Sequence, residues 1–399
     1  MGRGKEVLIA VLSLFALWQG ICRAAELKVS SGVRIEWWEE EDVDAKGAQI
    51  SHPIEITLKA GDFTFKGFTA YVSTYYDAPH GGVTYREGLI DTKFNFSYEI
   101  IGKLPVDVLL GLDLNLPTGT TPLRFEDSIM LSDPELFTIT TIGEGLNVNP
   151  TVALAKQWGK WIIGIGIGYT WRGEYDFIRY RVENYDPGDV FTFTAKVGYE
   201  VFPGWLFALF GRYFHFGKDE INGVEEYQEG DLYSVGLSLN RRGEKWQGRF
   251  RAEYSWREKG KERRWDSVSH KYVFDDEEHN FYDDEFTASL SVRYLVDEKT
   301  VLRGKLSYLR LDENRYPEEN FYPYLYRGGK EKLSLSLGVE KAIFDHVNLE
   351  FDVSGFVLWE GKGWTIHWEL SDWPWYTQYR DDSWTCYGGT VTLLLSCFF

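Results

Sequence analysis

The chain reads as an all-β protein: a transmembrane antiparallel β-barrel of about 16 strands, with short periplasmic turns and long outer loops. Three observations predict this class. Apolar and polar residues alternate with a period of two along most of the sequence. Aromatic residues stand at both ends of the alternating runs. Short and long connections follow one another strictly along the chain.

The run Trp161–Trp171, WIIGIGIGYTW, shows the pattern best. Trp161, Ile163, Ile165, Ile167, Tyr169 and Trp171 fall on one face of a strand. Ile162, Gly164, Gly166, Gly168 and Thr170 fall on the other. A helix would mix the two sets around its surface, whereas a strand separates them. An unbroken apolar face with an aromatic at each end suits a strand crossing lipid. Gly164, Gly166 and Gly168 should then point inward. They leave room for a plug, an inward-folded loop or a solute, or they simply permit tight curvature.

The same alternation marks 106–117, 246–257 and 347–359. It recurs near 53–60, 88–101, 189–201, 231–241, 284–296 and 330–342, and less regularly at 30–38, 63–76, 205–218 and 300–313. Short connections include Ala60-Gly61-Asp62, Gly159-Lys160 and Pro203-Gly204. Long polar ones lie near 39–50, 77–87, 119–143, 177–188, 219–230, 259–283, 314–329 and 361–383. Together they imply about 16 strands with both termini periplasmic, or about 14 if the first hairpin (30–38 with 53–60) is a plug or a periplasmic arm.

Bulk composition agrees. Aromatics are 17% of 399 residues, and charged residues at 26% exclude a bundle of membrane helices. A net charge of -18 argues against a nucleic-acid binder, which needs a basic face. Arg3 and Lys5 precede an apolar run from Val7 to Trp18, and small residues follow near Ala24. Residues 1–24 are therefore expected to be a cleavable secretory signal, and 25–399 a single barrel. Cys386 and Cys397 lie 11 residues apart on one predicted strand, beyond disulfide reach. The last strand ends on Phe399 with Tyr387, Val391, Leu393 and Leu395 on its face. Such an ending resembles the C-terminal signal read by the outer-membrane barrel assembly machinery. The expected surroundings are outer-membrane lipid and lipopolysaccharide.

The alternate residues define a charged, polar inner face. Arg249, Arg251, Arg293, Arg303 and Lys305 are expected on one arc of a lumen, and Asp107, Asp113, Glu350 and Asp352 on another. Two separate arcs would set a transverse field across a water-filled pore. The competing reading is a set of internal salt bridges closing a narrow barrel. Sixteen strands usually leave an aqueous channel. Acidic stretches, EEED at Glu39–Asp42 and DDEEHNFYDDE at Asp275–Glu285, lack EF-hand spacing and read as solvated loops, so no metal or other cofactor is expected. The loop from Trp364 to Trp384 is crowded with rings, among them Trp368, Trp373, Trp375 and Tyr376. They read first as a lid packed on the rim, and second as a surface for ring-shaped solutes. No HExxH or GxSxG motif is present, and no serine can be matched to His215, so an enzyme is not expected.

Two stretches resemble a known family. LGLDLNLPTGTTPL, Leu110–Leu123, resembles the strand-end Pro-Thr-Gly motif of the bacterial proteins named for transport in the phenol-degradation meta pathway. Residues 145–177 resemble the hairpin that follows it there, in which a glycine-and-asparagine strand turns into an alternating strand ending on Tyr. The resemblance implies an outer-membrane channel, with aromatic compounds as its solutes. The functional expectation is passive diffusion of small solutes through a charged lumen. Its rivals are a plugged barrel acting through its outer loops, as receptor, adhesin or envelope anchor, and an outer-membrane hydrolase.

Overall fold

The computed structural model describes residues 25–41, 45–78, 82–122, 135–267, 269–281, 284–316, 328–361, 363–367, 376–380 and 383–399. The expected signal segment, Asp42, Trp368, Trp373 and Trp375 lie outside them. In chain order the first strands are β1 (Ala25–Glu40), β2 (Lys46–Ala60), β3 (Phe63–Ala78), β4 (Gly82–Leu89), β5 (Thr92–Ile100), β6 (Asp107–Leu116), β7 (Asn147–Trp158) and β8 (Trp161–Arg172). Next come β9 (Tyr185–Asp186), β10 (Val190–Phe202), β11 (Trp205–Phe216), β12 (Lys218–Ile221), β13 (Val224–Gln228), β14 (Leu232–Arg242), β15 (Trp246–Arg257), β16 (Lys261–Asp266) and β17 (Lys271–Asp276). The last are β18 (Glu285–Asp297), β19 (Thr300–Leu311), β20 (Lys330–Phe344), β21 (Val347–Glu360), β22 (Gly363–His367), β23 (Tyr376–Arg380) and β24 (Trp384–Phe398).

Seventeen of these form one antiparallel sheet. It closes on itself because β1 pairs with β24 from Lys28↔Phe398 to Glu40↔Cys386. Along β3, residues 63–68 pair with β5 and residues 71–78 with β4, so β4 and β5 are two halves of one interrupted stave. The wall is thus a closed ring of 16 staves, which leaves no open edge in lipid. The first hairpin is part of it: β1 is held by both β2 and β24, so the 14-strand alternative fails.

Side-chain exposure fixes the faces. Ile163, Ile165 and Ile167 are about half exposed, as are Leu290, Leu306, Leu335 and Leu393 on other strands. These residues form the outer apolar band. Two aromatic belts bound it. Near the short turns, Trp161 packs on Tyr199 at 4.7 Å and Trp205 meets Trp246 at 6.3 Å. Near the long loops, Tyr213, Tyr233 and Trp256 form a stack with centroids 5.2 and 5.5 Å apart. Amphipathic rings of this kind settle at membrane–water boundaries. The closed wall, apolar outside and belted at both ends, places the protein in the bacterial outer membrane.

Several long loops carry more order than the sequence implied. The stretch near 77–87 was expected to be a loop, but β4 pairs with β3 up to Ala78↔Gly82. The loops after β8, β11 and β15 contribute β9, β12, β13, β16 and β17 to a second, five-stranded sheet beyond the outer rim. Its edge contacts come from different loops and have no short-range signature. Neither Cys386 nor Cys397 is in a disulfide; one faces inward and one outward along β24.

Candidate functional site: the inner wall

The described part of the connection between β6 and β7 folds inward as a strap. Residues 135–142 run along the inner wall over β4, β3, β2, β1, β24, β21 and β20. Ile142 packs with Ala70, Val72 and Ile90, and Phe137 packs with Trp38 and Ala45. The Ile139 carbonyl accepts from Gln49 at 2.9 Å, and the Thr138 hydroxyl donates to buried Glu36 at 2.5 Å. At the far end, Lys330 lies 3.6 Å from Glu135 and Lys332 donates to the Glu135 carbonyl. Aromatic and aliphatic residues inside a barrel are explained by this strap, which gives them a small dry core.

One knot holds the strap's root. Asp91, 3% exposed, sits in the break between β4 and β5. It accepts from Asn115 Nδ2 at 2.8 Å, from Gly119 N at 2.8 Å and from Glu144 N at 2.7 Å. Its own N–H donates to Ile142 O at 2.8 Å. Thr118 Oγ1 accepts from Thr92 N at 2.8 Å. A Cβ on Gly119 would collide with the Ile142 carbonyl, so only glycine fits there. The Pro-Thr-Gly motif thus has a physical role: it clamps both ends of the connection to the stave break.

The strand register puts every predicted lumen charge on the inward side, but their neighbours differ from the expectation. Arg303 donates to Glu350 at 2.9 Å and to Asp352 at 2.7 Å. Lys28 adds a contact to Glu350 at 3.6 Å, and Arg293 reaches Glu340 at 3.3 Å. The expected separate arcs therefore touch and pair at the boundary of β19, β20 and β21. The reason is strand spacing: inward residues two strands apart lie about 10 Å from one another, within reach of two long side chains. Arg251 is likewise tied to Glu253 at 2.7 Å, and Glu253, 6% exposed, also accepts from Arg212. Arg212 and Glu253 were missed from sequence, because their pairing depends on β11 and β15 lying two strands apart across β14. Asp107 is drawn into the turn, accepting from Gly102 N at 2.7 Å, and Asp113 accepts from Asn95 at 2.6 Å.

The cations Lys196, Arg242, Arg249 and Lys305 have no carboxylate partner among the described residues. Arg249 Nε donates to the Asn240 amide oxygen at 2.7 Å. With Arg293, Arg303 and Asp352 these four line a cavity of about 890 Å³ in the periplasmic half of the barrel, which extends along the inner wall from β8 round to β21.

The glycines lie on that wall too. Gly166 pairs with Ala153 and Thr194, and Gly168 with Thr151 and Thr192. A Cβ at Gly166 would come within 2.8 Å of Thr194 Oγ1, and one at Gly168 within 3.1 Å of Thr151 Cγ2. At Gly164 the nearest atom would be 3.6 Å away, ordinary contact. Crowding by inward threonines thus explains two of the glycines, and free space explains the third. The described strap residues, 135–142, pack on other strands.

Of the predicted loop aromatics only Tyr376 is described, as the first residue of β23, paired with His367. His215 Nδ1 lies 2.8 Å from Asp231, which also accepts from Tyr213 at 2.6 Å. Asp189, accepting from Tyr169, and Asp284, accepting from Tyr254 at 2.6 Å, repeat this pairing of an outer-belt tyrosine with an aspartate at a strand start.

Among protein families, the one described as "Putative MetA-pathway of phenol degradation" matches residues 42–265, more than half of the chain. The chain belongs to this family. The family match extends far beyond the two stretches that resemble it by eye and includes the stave break, the strap and the glycine strand. Curated proteins provide no significant match. Solved structures similar to the chain include the CymD monoaromatic hydrocarbon channel, at 12% identity and TM-score 0.44, covering 94% of this chain and 88% of that one. An anion-selective porin from Comamonas acidovorans matches at 12% identity and TM-score 0.39, covering 94% and 99%. An outer membrane channel from Pseudomonas putida F1 matches at 14% identity and TM-score 0.37, covering 72% and 95%.

Proposed function

We propose that the protein is an outer-membrane channel through which small solutes diffuse passively. One observation supports this reading above the others: the described strap residues pack on β1–β4 and on the loop-side ends of β20, β21 and β24, while the 890 Å³ cavity lies nearer the short turns, beside strands whose inner face is glycine, alanine and threonine. A plug designed to seal the ring would need side chains filling that wall. Polar and charged inward residues keep such a passage wet, and no chemical step is required of them. Aromatic solutes, implied by the family's name, enter as one class to test. Insertion would proceed through recognition of the last strand, whose Phe399 is 75% exposed and bonded through its N–H to the Leu27 carbonyl.

The test is single-channel recording of the mature chain in a planar bilayer of lipid and lipopolysaccharide. Steady current steps are expected. A folded, inserted barrel with no current would overturn the channel and favour a plugged barrel acting through its outer sheet.

A further inference from the structure

We infer that the periplasmic-half cavity is a binding site for small organic carboxylates, an anionic head on an apolar body. This deepens the channel reading and rests on it.

The charge balance of the cavity is the first argument. Lys196, Arg242, Arg249 and Lys305 face it without a carboxylate partner among the described residues, and Arg293 and Arg303 also line it. Its acidic lining is Glu200 and Asp352. Glu200 is engaged by Gly204 N at 3.0 Å, and Asp352 by Arg303 at 2.7 Å. A chain of net charge -18 thus keeps unpaired positive charge in one confined, water-accessible place. Like charges gathered in one confined cavity repel one another. An anion removes that cost.

The second argument is the apolar patch beside the cations. Ile162 and Leu206 are inward residues of the same cavity. Between them Gly198 leaves a shallow floor: a Cβ there would meet Leu206 Cδ1 at 3.2 Å and Ile162 Cβ at 3.6 Å. The register then forms one continuous row, Leu206↔Asn240↔Arg249↔Ser291↔Lys305. Two strand spacings, about 10 Å, separate the Leu206 and Arg249 backbones. A carboxylate held by Arg249 thus leaves its body directed along the wall toward Ile162, Gly198 and Leu206. Arg249 is oriented for this by its Nε bond to Asn240, which leaves the rest of the guanidinium fork for a planar oxyanion. Inorganic phosphate or chloride would use only the cations.

The experiment compares three probes on the refolded mature chain: benzoate, acetate (the head without the body) and benzyl alcohol (the body without the charge). Isothermal titration calorimetry in detergent reads the site, and single-channel current reads the channel, so the two readings can fail separately. Benzoate is expected to bind and to reduce the current at concentrations at least about tenfold below acetate, with benzyl alcohol weaker still. Arg249→Gln and Lys305→Gln should each raise the benzoate concentration needed by about tenfold, since each loses a charge-assisted contact. Lys66→Gln, on the far wall, should leave it unchanged. Equal binding of benzoate and acetate would overturn the apolar half of the site. Equal binding of benzoate and benzyl alcohol, or no change in either arginine or lysine variant, would overturn the anionic half. Calorimetric binding without any current would retain the site and remove the channel.

Discussion

Replacing Asp91 by Ala should release the strap while leaving the barrel closed. The carboxylate is 3% exposed and accepts three hydrogen bonds at 2.7–2.8 Å. Asn115 Nδ2 retains a second acceptor, the Gly145 carbonyl at 2.7 Å. The N–H groups of Gly119 and Glu144 have none in reserve. Two part-buried donors left unpaired cost roughly 1 kcal/mol each, the low end of the range for buried groups, so the local loss is about 2 kcal/mol. That is enough to shift the root of the strap from closed to open by a factor of about 30, at 1.4 kcal/mol per decade. The closed ring of strand pairs is untouched, so the cost should fall on the strap alone. Hydrogen exchange followed by mass spectrometry is the direct assay. Peptides covering 117–122 and 135–146 should exchange at least about tenfold faster, with β8 and β10 unchanged. Current should become larger or noisier as the strap leaves its wall. Asp91→Asn, which keeps one acceptor oxygen, should fall between the two. If strap exchange in Asp91→Ala matched the parent protein, the knot would not be what holds the strap.

Four further outcomes follow from the inner wall and the outer sheet. Arg249→Glu should shift the reversal potential under a KCl gradient toward cations more than Arg251→Glu does, because Arg251 is already neutralised by Glu253; equal shifts would refute that pairing. Arg303→Gln should also favour cations, by exposing Glu350 and Asp352, and an unchanged reversal potential would put this triad outside the conducting path. Gly164→Ala should refold with normal yield and heat resistance on gel electrophoresis, whereas Gly166→Val should lose both, since its side chain would meet Thr194. In the outer sheet, burial, aided by Glu277, raises the Glu262 carboxyl above the ordinary acid range. A raised carboxyl stabilises the fold below its unfolded pKa of about 4.3, and the benefit is lost as pH rises through the folded value. Amide protection at Tyr227 and Gln228, paired with β16, should therefore fall as pH rises above the ordinary glutamate value, and Glu262→Gln should flatten that trend.

Much of the wall was legible because a barrel in lipid constrains each strand locally. In WIIGIGIGYTW, every second residue must satisfy lipid regardless of where the neighbouring strands lie, so the alternation announces both faces. Turn lengths likewise reflect local geometry. Even the Pro-Thr-Gly motif was visible as a sequence feature. Its work was not, because Gly119 is fixed by the Ile142 carbonyl and by Asp91, both far along the chain.

The sequence by itself determined the class of fold, the inward and outward faces and the membrane that suits them, since these depend on a period of two and on the solvent each face meets. Only the tertiary structure decided which inward charges remain free. Arg303 and Arg249 look alike as alternating basic residues; one meets Glu350 and Asp352 across β20, and the other meets an asparagine. It also decided that the described strap residues pack on β1–β4, β20, β21 and β24, and that three loops join in one outer sheet. Those outcomes depend on register and on which strands lie side by side: Arg303 and Glu350, for example, are 47 positions apart, and no local pattern encodes such distances.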